Sequence, residues 1–245
     1  MGVASVEPMN RYALLLGVAA LIATSGITAA SKSPATPTRP PGPAGFAPRV
    51  DNPWFPLRPG TTYVYRGIKD GQPSRDVFAI TAATKTIQGV PCTVVRDWLY
   101  LRGRLHERTQ DWYAQDKAGN VWYFGEATAE LSPSGNVRST EGSWEAGVDG
   151  ARAGVFMPAH PYPGQAGRQE YYKGHAEDHF HVLTLSAGVS TPAASSRHAL
   201  LTREWTPLEP GVIDHKLYVK GIGTVLEQTV KGGDERNVLV ARRSG

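Results

Sequence analysis

From residue 51 to residue 245 no stretch of twelve or more residues repeats its apolar side chains every 3.6 positions. A chain without that period cannot bury helices against one another, so its core has to come from sheets. The residues agree. Short runs rich in β-branched and aromatic side chains recur, among them "TTYVYRG" (61–67), "DVFAITAA" (76–83), "CTVVRDWLYL" (92–101), "HKLYV", "GTVLEQTVK" and "RNVLVARR". Between them stand turn formers: "RGR" around Gly103, "QDKAGN" (115–120) and "KGGDE" (231–235). Strands joined by such short turns pair antiparallel with their sequence neighbours. The expected fold is a mainly β single domain of antiparallel meander strands, around ten of them. These would form a curved sheet, an open barrel or a two-sheet sandwich. One segment breaks the pattern. Residues 131–167 have no period and are full of Gly and Pro, but carry Trp144, Phe156 and Tyr162. They read as one long irregular loop, ordered and packed over the concave face of the sheet.

The N-terminus belongs to another class of segment. Arg11 precedes the apolar run "YALLLGVAALIA" (12–23), and "TSGITAA" follows it with small residues. This is the layout of a secretory signal peptide over residues 1–30. The run is short for a membrane span, which takes roughly 20 residues, so no transmembrane segment is expected once it is removed. Residues 31–48, "SKSPATPTRPPGPAGFAP", hold six prolines, which fix φ and remove amide donors. They imply a disordered linker over 31–50 and a domain over 51–245. Export places the protein in the cell envelope or outside the cell. Its single cysteine, Cys92, cannot form an internal disulfide there and reads as a small buried apolar residue. With 40% hydrophobic residues the chain can fill one core. A net charge of +4, with the basic residues scattered, gives no footprint for nucleic acid. The oligomeric state is left open.

Several longer phrases add a resemblance. "NPWFPLRPGTTYVY", "DWYAQDKAGNVWYFGE", "GSWEAGVDGA", "RQEYYKGHAED" and "EWTPLEPGVIDHKLY" are similar to those of a family of exported bacterial proteins of uncharacterised function. The resemblance runs from Asn52 to about Arg236 and implies export and a single domain, with no activity to carry over. The acidic pair Glu177 and Asp178 matches the family pattern. His175, His179 and His181 depart from it, and so does Ala118, where the family turn has an Asp.

Candidate sites follow from residue types. "HAEDHFH" (175–181) read as a strand puts His175, Glu177, His179 and His181 on one face, an arrangement zinc can use. A polar strand face decorated with histidines is the simpler reading, so His175, His179 and His181 stand only as an alternative metal set. "DKAGN" lacks a calcium ligand at Ala118 and reads as a hairpin turn. Glu126, Glu141, Glu145, Glu170 and Asp178 lie among aromatics, as acids do in sugar-cleaving clefts. Glu145, Glu170 and Asp178 are the alternative catalytic set, with His179 and His181 in a metal-assisted variant. No nucleophile elbow, phosphate-cradling glycine loop or zinc-protease motif occurs, and no cofactor is expected. Trp98, Trp112, Trp122 and Trp205 read as core, whereas Trp144 reads as a ligand-facing aromatic. The favoured reading is a binding module for a small apolar or carbohydrate ligand, held by Trp144, Glu145, Asp149, Tyr171 and Glu177. A hydrolase acting on an extracellular substrate is the alternative.

Overall fold

The structure is a computed structural model and describes residues 35–244. The expected signal peptide, residues 1–30, and the start of the proline-rich stretch lie outside the described residues. In chain order the strands are β1 (Thr61–Lys69), β2 (Gln72–Ile87), β3 (Val90–Leu101), β4 (Arg104–Gln115) and β5 (Val121–Leu131). Three short ones follow, β6 (Val137–Ser139), β7 (Trp144–Glu145) and β8 (Arg152–Met157), then β9 (Ala166–Arg168) and β10 (Glu170–Tyr171). The rest are β11 (His179–Thr191), β12 (Ala194–Trp205), β13 (Ile213–Val219), β14 (Gly223–Lys231) and β15 (Arg236–Ser244). Helix is confined, among the described residues, to one 3-10 turn, Pro43–Gly45.

Three hairpins explain how the meander holds its register. β1–β2, β2–β3 and β3–β4 are joined by Asp70-Gly71, Gln88-Gly89 and Arg102-Gly103, and all six of these residues have positive φ. Two consecutive positive φ values make the turn whose twist matches that of paired strands. Glycine takes the second position of each, where the conformation costs it nothing.

All strand pairs are antiparallel and join into one sheet, in the order β10-β8-β5-β4-β3-β2-β1-β15-β14-β13-β12-β11-β9, with β6 and β7 paired to β5. The two terminal strands of that order, β9 and β10, are separated in the chain by Gln169 alone. The sheet is therefore a nearly closed barrel with one seam, and the chain itself bridges the seam. Gln169 is buried, and its N–H donates to the Asp178 carbonyl. Gly154 in β8 faces this bridge so closely that a Cβ would lie 2.4 Å from the Arg168 carbonyl oxygen. One lateral ladder is short. β14 and β15 pair only at Leu226↔Val238, Glu227↔Asn237 and Gln228↔Arg236.

Two expectations are corrected. Residues 131–167 are not a loop over a concave face, because they supply β6, β7 and β8, and β8 is part of the barrel wall. Strands of two to six residues are too short to show a period in sequence. The stretch read as linker up to residue 50 is packed against the barrel from about Ala35 onward. Phe46 and Val50 are buried, Phe46 sits edge-on to Phe124, and the Ala47 N–H donates to the Gln115 carbonyl.

One end of the barrel is plugged by residues 52–57. The Asn52 carboxamide donates to the Gly119 and Pro158 carbonyls and accepts from the Trp54 N–H, while Gly221 N–H binds the Pro53 carbonyl. Phe55 packs edge-on against Phe78 and Tyr113 and lies 4.5 Å, centroid to centroid, from Phe156. No helix among the described residues is long and apolar enough to cross a membrane, which says nothing of barrels that cross with strands.

Candidate functional site: an acid-lined lumen

Side chains directly paired across antiparallel strands share a face of the sheet. One row on the inner face runs Tyr63–Phe78–Asp97–Thr109–Thr128, and another Thr202–Lys216–Glu227–Asn237. A third places Asp111 beside Glu126. Charged groups therefore occupy positions where the alternation alone would put apolar ones.

These rows enclose two cavities that meet at Lys216 and Glu227. The inner one, about 160 Å³, is lined by Phe55, Phe78, Tyr113 and Phe156 on its aromatic side and by Tyr65, Asp76, Asp97, Lys216 and Glu227 on its polar side. The outer one, about 310 Å³, lies toward the end opposite the plug and includes Glu170, Asp178, Glu204, Trp205 and Asp214. Acids far outnumber cations. Among the described residues Lys216 is the sole lysine or arginine lining either space, and its Nζ stands 3.1 Å from Glu204 and 3.2 Å from Glu227.

Burial sets the protonation of the rest, because a carboxylate removed from water is disfavoured unless a cation repays it. Desolvation, then Asp76, holds the Asp97 carboxyl well above its ordinary range, and desolvation also raises Asp76, the two lying within hydrogen-bonding reach of each other. Asp111 is pushed up to about 7 by burial, although the Tyr123 hydroxyl donates to its Oδ1 at 2.7 Å. Burial and the neighbouring Asp178 raise Glu170 to about 8, against the indole N–H of Trp144 that donates to its Oε2. Burial, followed by Asp111 and Glu170, also holds Glu126 well above its ordinary range. Desolvation alone would lower Lys216, but Glu204 and Glu227 outweigh it and hold the ammonium charged. Two carboxylate oxygens, Asp76 Oδ1 and Asp111 Oδ2, are buried without a hydrogen-bond partner among the described residues. The lumen thus carries carboxyls whose protonated form, able both to donate and to accept, burial favours, and they stand opposite aromatic faces.

The residues singled out by sequence scatter around this lumen. Trp144 is 5% exposed, edge-on to Tyr123, and its role is to hold Glu170. Its chain neighbour Glu145 points to the other face, where it pairs with Lys85 at 2.7 Å, and Lys85 in turn lies over the Trp112 ring. The alternative catalytic set therefore does not assemble: Glu170 and Asp178 line the outer cavity and Glu145 does not. Asp149 sits in an exposed turn with φ 48°. Glu177 accepts the Gly174 N–H at 2.8 Å and closes the turn before β11. Tyr171 lies on the outer face between Arg152 and Arg168.

The three histidines do not converge either. His175 Nδ1 is 2.7 Å from Glu141, and its ring stacks on Tyr172. His179 Nε2 accepts from Arg168 and its ring stacks on Trp205, so a metal would have to displace a guanidinium. Desolvation and Arg168 lower the His179 pKa. His181 shares the face of His179 two residues on, opposite Arg203. Among the described residues no group of three or more His, Cys, Asp or Glu could hold a metal ion. Of the four tryptophans read as core, Trp112 and Trp122 are buried, while Trp98 and Trp205 are half-buried.

The lumen residues Asp76, Asp97, Asp111, Lys216 and Glu227 escaped the sequence reading. A signal existed: "VVRDWLY" and "TQDWYA" each set an Asp in phase with inward apolar neighbours, Val95 and Leu99 for Asp97 and Tyr113 for Asp111.

Comparison with known proteins adds little. No protein-family model matches the chain, and no curated protein does. Among solved structures, one described as a "putative lipoprotein from Parabacteroides distasonis ATCC 8503" aligns over 78% of this chain and 98% of its own, with 10% identity and a TM-score of 0.42.

Proposed function

We propose that the protein is an exported barrel that binds a small hydroxyl-rich ligand of the glycan class in its lumen. The apolar run at 12–23 with small residues after it supports export. The ligand class rests on one observation: Asp76, with an oxygen buried and unpartnered, and Asp97 face a cavity whose other side is Phe55, Phe78, Tyr113 and Phe156. Sugars offer hydroxyls at their edges and C–H groups on their faces, and so fit a space with one polar and one aromatic side. A purely apolar ligand would leave these carboxyls desolvated and unmatched.

Calorimetric titration with a panel of monosaccharides and disaccharides tests this reading. Saturable binding is expected, weakened about tenfold in Asp97→Asn, the cost of one hydrogen bond between charged or strongly polar groups. If no sugar binds while an alkyl-chain ligand does, the reading is lost. One observation favours a second reading, a glycoside hydrolase. Glu170, held protonated near neutrality, shares the outer cavity with Asp178, as an acid and its partner carboxylate would. Wild-type turnover of an aryl glycoside, abolished in Glu170→Gln with sugar binding intact, supports it, and a wild type without turnover removes it.

A further inference from the structure

The outer face at the seam carries chemistry that the lumen does not use. The Arg152 and Arg168 guanidinium carbons lie 4.3 and 4.4 Å from the centroid of the same ring, Tyr171. Arg168 Nε donates to His179 Nε2 at 3.3 Å, His179 stacks on Trp205, and Arg203 lies 4.8 Å from the Trp205 centroid. Cations and rings thus alternate across β8, β10, β9, β11 and β12. None of these three arginines has a carboxylate within ion-pair distance among the described residues. His179 brings no negative charge: its Nε2 accepts from Arg168, and its Nδ1 is buried without a partner among the described residues.

A cavity of about 270 Å³ opens beside the two arginines. Arg152, Arg168 and Tyr171 line it together with Thr36 and Thr38 and the side-chain-free backbone of Gly154 and Gly167. Thr36 Oγ1 accepts from the Gln165 carboxamide, which leaves its own proton to donate. Two guanidiniums beside one ring repel each other, and a ring can offset that only in part. An anion in the cavity that both line would offset the repulsion and use the planar fork of each arginine. Tyr171 already holds both forks, so less side-chain freedom is lost on binding.

We infer that the seam cavity is an oxyanion site that seats a phosphate or sulfate group against Arg152 and Arg168, with the Thr36 and Thr38 hydroxyls as further donors. It lies outside the lumen and does not depend on what the lumen binds. The group could be carried by a soluble ester or by a lipid headgroup, and the test separates these sources. Full-length mature protein is titrated with inorganic phosphate and inorganic sulfate, with glucose 6-phosphate, and with vesicles of phosphatidylcholine containing phosphatidic acid. Saturable binding of phosphate or sulfate is expected, falling roughly tenfold in each of Arg152→Gln and Arg168→Gln. The control Arg197→Gln, an exposed arginine on β12 with the same loss of charge, is expected to bind as the wild type does. Tyr171→Leu keeps both charges and is expected to weaken binding a few-fold, which separates a held pair from diffuse attraction. Glucose 6-phosphate binding lost in the arginine variants assigns a soluble source, and vesicle binding lost in them assigns a lipid one. Wild-type protein that saturates with neither phosphate nor sulfate overturns the inference. So does an Arg197→Gln variant weakened as much as Arg152→Gln, because general surface charge then accounts for the binding.

Discussion

Asp111 and Glu170 hold their protons more tightly folded than unfolded, at about 7 and about 8 against ordinary carboxyl values near 4. The sign of the consequence is unusual for acids. The folded state binds more protons than the unfolded one between those limits, so the stability these groups contribute is full below about pH 4 and is lost as pH rises to about 7 and 8. Unfolding free energies from urea titrations should decline from pH 5 to about pH 8, by at least ~2 kcal/mol, and level off above it. Asp111→Asn and Glu170→Gln should each flatten the profile, and an unfolding free energy that rises with pH would contradict the burial argument. Lys216 is the opposite case, a charged group whose removal leaves Glu204 and Glu227 facing each other unpaired. Lys216→Met should cost about 3 kcal/mol. Adding Glu204→Gln and Glu227→Gln should restore much of it, as read by thermal melting.

At the scale of elements, the plug and the hairpins differ in how openly the sequence declares them. Asp70-Gly71, Arg102-Gly103 and the "QDKAGN" turn carry their geometry in their residue types, and the long strands they join alternate clearly. Antiparallel β architecture was therefore legible. The short strands β6, β7 and β8 were not, because two to six residues among Gly and Pro give no period to read. The plug was hidden for another reason: "NPWFPL" has no repeat at all and is fixed by tertiary hydrogen bonds from Asn52 and by Phe55 meeting Phe78, Tyr113 and Phe156. The candidate site was legible only in part. Glu170, Asp178, Trp144 and Tyr171 were picked out as residues, but which side of the sheet each faces depends on register, and Trp144 and Glu145 face opposite ways. Phe55→Ala removes the aromatic floor and should cost about 3 to 5 kcal/mol. It should also open the plugged end, seen as faster amide exchange in residues 52–57 and at Tyr113.

For the whole molecule, closure depends on Gln169 joining the two ends of the sheet order, with Gly154 pressed against it. Gly154→Val places side-chain atoms where the Arg168 carbonyl stands. It should destabilise the fold by more than 2 kcal/mol, in line with overpacking at a close approach. Exchange should quicken at 152–155 and 166–171 before it does elsewhere, and uniform loss of protection would argue against a local clasp. The ladder between β14 and β15 has a different consequence. Only three residue pairs tie these strands together, and two of their members, Glu227 and Asn237, border the inner cavity. A guest too large to thread past Lys216 has a side door there: parting a few rungs admits it laterally while the plugged end stays shut.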